Sequence, residues 1–584
     1  MKFLRNLLAA ILGTIIALFL IFIIFAGVAS MIGDKDKIEV KSNSVLTLNL
    51  KPQLVDYAPK SDNPLDEMFG ENDKKIAYSK IINAIENAKT DANIKGISIE
   101  ILNLNAGIAQ VQAIRNKLVE FKETGKFVTA YSDVYTQKNY YLSSVADSLF
   151  VSPVGFVEFQ GLSSERLYFK DFQDKYGVKM EVIRHGKYKS AMEGYLANEM
   201  SEANREQMES FLHSIWAEFL EDISVSRGKT VAELNTLADE MGTKNISLSV
   251  KNGMIDQAIY ADEYENKLKS LVGIESDKDL EKISVKDYIS TGKGRIKSSA
   301  KDKIAVLYTQ GNIMYGKGDE TYIGQESIIK ALKKIRKKKN IKAIVLRVNS
   351  PGGSALASDL IWRELELTKK EKPIVVSMGN LAASGGYYIA CNADKIYAEP
   401  TTITGSIGVF GAIPNFTGIV KDMGINAEQV STNKGPSYSV FEPLTQEFHD
   451  YIKGSIDDIY VTFVEHVAEG RDMTFEEVDA IAQGRVWTGK QALENGLVDE
   501  LGNLDDAIAY AASLADISDY KTTSYPRYKK DFKDAFSANP FMKTKEEIII
   551  EEIGAENFKI YKELQSFAKM KGAQMRMPFT IEIK

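Results

Sequence analysis

The 584-residue chain is too long for one hydrophobic core, so two large domains or three ordinary ones are expected. An apolar fraction of 44% and a charged fraction of 26% are those of a globular protein, and a net charge of −7 argues against nucleic acid as the main partner. A single cysteine, Cys391, excludes an intramolecular disulfide and a cysteine-based zinc site; no two of the four histidines share ligand spacing on one helix. Neither metal nor cofactor is therefore expected. The basic run Lys333–Lys339 lies on a predicted helix and reads as a solvated face.

In chain order, residues 1–6 form a short segment that carries Lys2 and Arg5. Leu7–Gly33 follows, 27 residues without a charge. A helix of about 20 apolar residues crosses the hydrocarbon core, and the run exceeds the apolar stretch of a cleavable signal. The expectation is an uncleaved anchor with the N-terminus inside and the remaining chain outside.

Beyond the anchor the sequence repeats. Asn93-Ile94-Lys95 recurs as Asn340-Ile341-Lys342, Tyr140-Tyr141 as Tyr387-Tyr388, Ala146-Asp147 as Ala393-Asp394 and Gly161 as Gly408, each pair 247 positions apart without a gap. Asn252-Gly253 and Asp256 recur as Asn495-Gly496 and Asp499, 243 apart. Two such halves are two domains of one fold, 34–295 and 296–520, with Thr291–Lys301 as the linker. In the second half Ile304–Tyr308, Ala343–Val348, Ile374–Ser377 and Lys395–Ala398 read as buried parallel strands. Glu326–Lys337, Ala355–Leu367 and Ala383–Cys391 read as helices, so a layered α/β core with right-handed crossovers follows. An extension, 521–584, ends with a charged helical stretch Lys543–Lys571 and the alternating Phe579–Lys584. Those final residues could complete a sheet edge, occupy a peptide groove or contact another subunit.

Two Gly-rich turns carry the chemistry: Asn349-Ser350-Pro351-Gly352-Gly353-Ser354 and Asn380-Leu381-Ala382-Ala383-Ser384-Gly385-Gly386. A serine on a strand-to-helix turn beside glycines exposes its hydroxyl, and the neighbouring amides can hold an oxyanion. Ser384 is the candidate nucleophile and Gly352 and Gly385 the candidate oxyanion donors, with Gly353 and Gly386 along a substrate groove. Shifted by 247, Gln137 stands opposite Ser384 and Asn105-Ala106 opposite Gly352-Gly353, so the first half lacks this site. Conversely, Pro436 stands opposite Lys189 in His185-Gly186-Lys187-Tyr188-Lys189-Ser190. The halves have specialised in complementary ways. A serine needs a base, no histidine falls in a Gly-rich turn, and a desolvated lysine can act when neutral. Spacing alone leaves Lys187 and Lys189 as alternatives.

Ser350-Pro351-Gly352-Gly353, Ala383-Ser384-Gly385-Gly386-Tyr387-Tyr388, Thr404-Gly405-Ser406-Ile407-Gly408 and Tyr188-Lys189-Ser190-Ala191-Met192-Glu193 together resemble the signal peptide peptidase A (protease IV) family in its long, two-domain bacterial form. Gly194-Tyr195 departs from it, where that form often has Pro after the Glu. The resemblance implies two tandem ClpP/crotonase-like domains and a serine endopeptidase that degrades cleaved signal peptides. Its body would lie on the periplasmic side of a bacterial inner membrane as a homotetramer. It implies Ser384 as nucleophile, Lys189 as base and Ser406 as the group orienting the lysine. The rival readings are a crotonase-type acyl-thioester enzyme and a non-catalytic membrane scaffold.

Overall fold

The computed structural model describes residues 2–33, 38–59, 74–528 apart from 191, 434 and 436, the isolated residues 549, 552, 554 and 558, and 572–577. Helix α1 (Lys2–Gly33) covers the apolar run. Among the described residues no helix is long and apolar enough to cross a membrane. Within α1, side chains are described continuously only over 9–20, short of the about 20 residues that a crossing needs. Lys434, Pro436, the stretch 559–571 and Phe579–Lys584 lie outside the described residues, as does 543–558 apart from the four isolated positions.

The strands that build and flank the site are, in chain order, β1 (Ser44–Leu48), β2 (Ile94–Ile99), β3 (Phe127–Tyr135), β4 (Ser148–Val157), β5 (Lys179–His185), β6 (Gln257–Ala258) and β7 (Lys282–Ser284) in the first half. The second half contributes β8 (Lys303–Gln310), β9 (Ile341–Ser350), β10 (Gly352–Ser354), β11 (Ile374–Ala383), β12 (Lys395–Ala398), β13 (Ile403–Gly405), β14 (Val409–Asn415), β15 (Val486–Thr488), β16 (Glu500–Leu501) and β17 (Lys521–Tyr525), and the tail adds β18 (Gln574–Arg576). In the first half the order β7-β1-β2-β3-β4-β6 is parallel throughout. In the second, β17-β8-β9-β11-β12-β16 repeats that order, again all parallel. Both central strands are buried on both faces, β2 and β9 reading as near-continuous apolar runs. The duplication expected from the sequence is thus a duplication of topology. The second unit runs through β17 to Tyr525, past the expected boundary at 520.

The repeated residues do the same structural work twice. Asp147 accepts from the Val128 N–H (2.8 Å) and Asp394 from the Ile374 N–H (2.7 Å). Asp256 and Asp499 each accept at 2.7 Å from the first residues of the neighbouring strands, Leu149 and Ile396. The Tyr140 hydroxyl donates to the Met254 carbonyl and that of Tyr387 to Leu497, at 2.9 and 2.8 Å. Val128 and Ile374, however, are 246 apart and the tyrosines 247. The second half therefore has one residue more between strand start and tyrosine pair, correcting the expectation of an ungapped repeat. The β9–β11 register shifts within that longer stretch, between Met378 and Ala382.

Two local expectations also change. Asn380–Ala383 is strand, the end of β11 paired with β13, and the helix after Ser384 is only α2 (Gly385–Tyr388). Gly352–Ser354 is itself a short strand before the helix Ala355–Lys369, which Ser354 caps by accepting from the Ala357 N–H.

A third sheet joins the halves. β5 of the first half pairs antiparallel with β14 of the second over seven positions, from Val409↔His185 to Asn415↔Lys179. A buried ion pair, Arg347 Nε to Asp56 Oδ1 at 2.8 Å, with Asn349 also donating to Asp56, ties the first half to the strand that precedes the Gly352 turn. Gln110 N–H donates to Asn380 Oδ1 (3.1 Å), and Lys490 pairs with Glu218 (2.5 Å) on the far side.

Candidate active site

The β5–β14 pairing carries the chain out of the first half at His185. A turn through Gly186 then delivers Lys189 into the second half. Tyr188 N–H donates to the Gln483 carbonyl (2.8 Å), and Gly484 packs against the Lys189 backbone so closely that a Cβ there would lie 2.6–2.8 Å from its N, Cα and Cβ. Lys189 is 1% exposed and Ser384 is fully buried. Lys189 Nζ lies 2.8 Å from Ser384 Oγ and donates to the Ser406 carbonyl (2.9 Å) and Ser406 Oγ (3.0 Å). Burial alone pushes the Lys189 ammonium well below the usual lysine range. The sequence alternatives are separated by position: Lys187 is exposed, its ammonium 5.1 Å from the Tyr188 ring centroid.

Ser384 ends β11 at φ 56°, ψ −118°, a conformation rarely taken by a residue with a side chain. Its N–H donates to the Gly405 carbonyl (2.8 Å), fixing the turn against β13. Ser406, one residue beyond β13, is also left-handed at φ 51° and donates its N–H to the Arg485 carbonyl (2.6 Å). Both serines are held by backbone contacts that leave their side chains aimed at Nζ.

The expected glycines divide. Gly385 opens α2, where an N–H has no intrahelical acceptor. Gly352, expected as the second oxyanion donor, instead donates its N–H to Ser350 Oγ (3.1 Å). Its φ of 93° turns the chain so that Gly353 faces the groove in register with Met575 of β18. Gly386, expected along the groove, packs against Ser350, where a Cβ would meet the carbonyl oxygen at 2.6 Å.

In the first half the equivalent place is filled. Gln137 is buried and its Oε1 accepts from the Gln160 N–H (3.0 Å), while Lys138, opposite Gly385, donates to the Ala106 carbonyl (2.7 Å). Among the described residues no group of three or more His, Cys, Asp or Glu side chains could hold a metal.

Sequence reasoning missed three contributors. These are the Ser406 carbonyl, the Gln483-Gly484-Arg485 segment against Lys189, and β18 beside Gly353. Backbone acceptors carry no residue signature, and the other two are contacts between segments far apart in sequence.

Two regions, 120–275 and 366–518, match the model of peptidase family S49. The chain is 36% identical over 503 residues to Protease 4 of Haemophilus influenzae, covering 82% of this chain and 81% of that one. The chain belongs to peptidase family S49. It is also 34% identical to Protease 4 of Salmonella typhi over 530 residues (88% of this chain, 85% of the relative) and 34% identical to the chloroplastic serine protease SPPA of Arabidopsis thaliana over 487 residues (82% and 70%). The S49 regions fall one in each half, as the repeat requires, and the chain is a serine protease of this family.

Proposed function

We propose that the chain is a membrane-anchored endopeptidase in which Ser384 is the nucleophile and neutral Lys189 the general base. The observation that carries this is the buried 2.8 Å contact between Lys189 Nζ and Ser384 Oγ, in a place where burial alone depresses the lysine. A neutral amine has two N–H groups and one lone pair. The carbonyl and hydroxyl of Ser406 take the two N–H groups, which leaves the lone pair for the Ser384 proton. Ser406 is thus a positioning residue.

As Oγ adds to the scissile carbonyl, the developing oxyanion would be held by the N–H groups of Gly353 and Gly385. Lys189 then returns the proton to the leaving amine, and water hydrolyses the ester. A substrate would add as a strand between β10 and β14. The resemblance to the signal peptide peptidase A family supports cleaved signal peptides as substrates, a body on the periplasmic side of a bacterial inner membrane, and a homotetramer. The charge-free Leu7–Gly33 supports the anchor. The test is hydrolysis of a peptide ester by the purified chain with and without Ser384→Ala. Loss of a covalent nucleophile removes several orders of magnitude, so residual activity within about tenfold of wild type overturns the assignment.

A further inference from the structure

The peptide groove of this protein is occupied by its own C-terminal segment. Strands β10 and β14 do not pair with each other; β18 lies between them and pairs antiparallel with both, through Gly352↔Arg576, Gly353↔Met575 and Ser354↔Gln574 on one side and Phe410↔Gln574 on the other. The ladder continues at both ends, with Ala355 N–H donating to the Ala573 carbonyl (3.2 Å) and Met577 N–H to the Pro351 carbonyl (2.5 Å). Five consecutive residues, 573–577, thus lie along the edge that contains Gly353.

The register places one carbonyl at the reacting position. A Cβ on Gly385 would come 3.0 Å from the Met575 oxygen, and one on Gly352 would collide with that oxygen while lying 2.6 Å from the Gly385 N. The Met575 carbonyl therefore sits between Gly353 and Gly385, the residue that follows Ser384. Because Arg576 and Met577 continue the same strand, that carbonyl belongs to a peptide bond and not to a terminal carboxylate. Met575 and Met577 share a face of the strand and are 0% and 4% exposed. An unbranched, flexible side chain is suited to an irregular apolar pocket. This is how a substrate lies, not how a product does.

Resting on the serine–lysine reading above, we propose that the protease trims its own C-terminus between Met575 and Arg576, with Met575 filling the pocket for the residue before the scissile bond. Ser384 Oγ adds to the Met575 carbonyl carbon as its proton passes to Lys189. The C–N bond to Arg576 breaks as Lys189 protonates the leaving amine. Water then hydrolyses the Met575 ester, giving a chain that ends in the Met575 carboxylate and the nine-residue peptide Arg576–Lys584. The substrate class read by this site follows: extended segments with an unbranched apolar residue before the cleaved bond.

The test is intact-mass spectrometry of the purified full chain during incubation, with hydrolysis of a separately supplied peptide ester measured on the same samples. The expected result is loss of residues 576–584 at a rate independent of protein concentration, and none in Ser384→Ala. Met575→Asp, which would bury an unpaired carboxylate, should slow trimming at least about tenfold and raise hydrolysis of the supplied ester by leaving the groove open. An enzyme that hydrolyses the ester through Ser384 yet keeps its C-terminus, or is cut elsewhere in the tail, overturns this proposal alone. A chain that does neither overturns the Ser384 assignment with it.

Discussion

Replacing Gly484 by alanine should cripple the enzyme through a residue that touches neither substrate nor the reacting atoms. Gly484 has φ 81°, and a Cβ built there falls 2.6 Å from Lys189 N, 2.7 Å from its Cβ and 2.8 Å from its Cα. Ordinary contact begins at 3.4 Å, so the Lys189 backbone would have to retreat by about 0.8 Å. A displacement of about 1 Å at a reacting group lowers rates about a hundredfold, equivalent to about 2.7 kcal/mol of transition-state stabilisation. The left-handed φ adds about 1–2 kcal/mol of folding strain, visible as a lower unfolding midpoint. The assay is kcat/KM on a peptide ester beside thermal unfolding, with Gly454→Ala as control. Gly454 lies inside the helix Gln446–Arg471 with open space around it, so alanine there should leave turnover unchanged and add about 0.5–1 kcal/mol of stability. A folded Gly484→Ala enzyme within about threefold of wild-type kcat/KM would refute the claim that this contact sets the position of the base.

Lys189→Arg should be inactive, because a guanidinium keeps its proton throughout the working range. In the wild type, kcat/KM should rise with pH as Lys189 deprotonates and level off below the ordinary lysine value of about 10.4, since burial depresses the group; a rise only near that value would contradict the desolvation. Gln137→Ala should leave turnover unchanged and cost about 1 kcal/mol of stability through the lost bond from the Gln160 N–H, measured by denaturant unfolding. Asp56→Ala strands the buried Arg347 guanidinium and should cost about 3–5 kcal/mol in the same measurement. Burial pushes the Glu399 carboxyl up to about 8. A carboxyl raised on folding binds its proton more tightly in the native state, so stability should fall as pH rises from about 4.3 through about 8, and Glu399→Gln should flatten that slope in thermal unfolding.

The duplicated α/β architecture was legible because its signals are local or periodic. β-branched runs mark strands that must be buried on both faces, and a constant spacing of identical residues marks one topology used twice. The paired aspartates and tyrosines recur for a reason visible only in the fold: each satisfies the first amide of a strand or a carbonyl across the core, in both halves alike. Ser384 could be read from its turn, since a serine flanked by glycines after a strand has few other structural uses. The choice between Lys187 and Lys189 had no such local basis. It depends on which lysine the β5–β14 pairing buries, and that pairing joins residues more than two hundred positions apart. The oxyanion donors were misread by one residue because both glycines of Gly352-Gly353 permit the turn. Only the hydrogen bond from Gly352 to Ser350 turns Gly353 toward the groove. The tail shows the division most clearly. Composition could state that residues after Tyr520 differ in character, but hydrogen-bonding partners for a short extended segment are set by whichever open strand edges lie within reach. That edge exists only once the two halves have closed around Lys189 and Ser384, so the fate of Met575 was decided by tertiary structure alone.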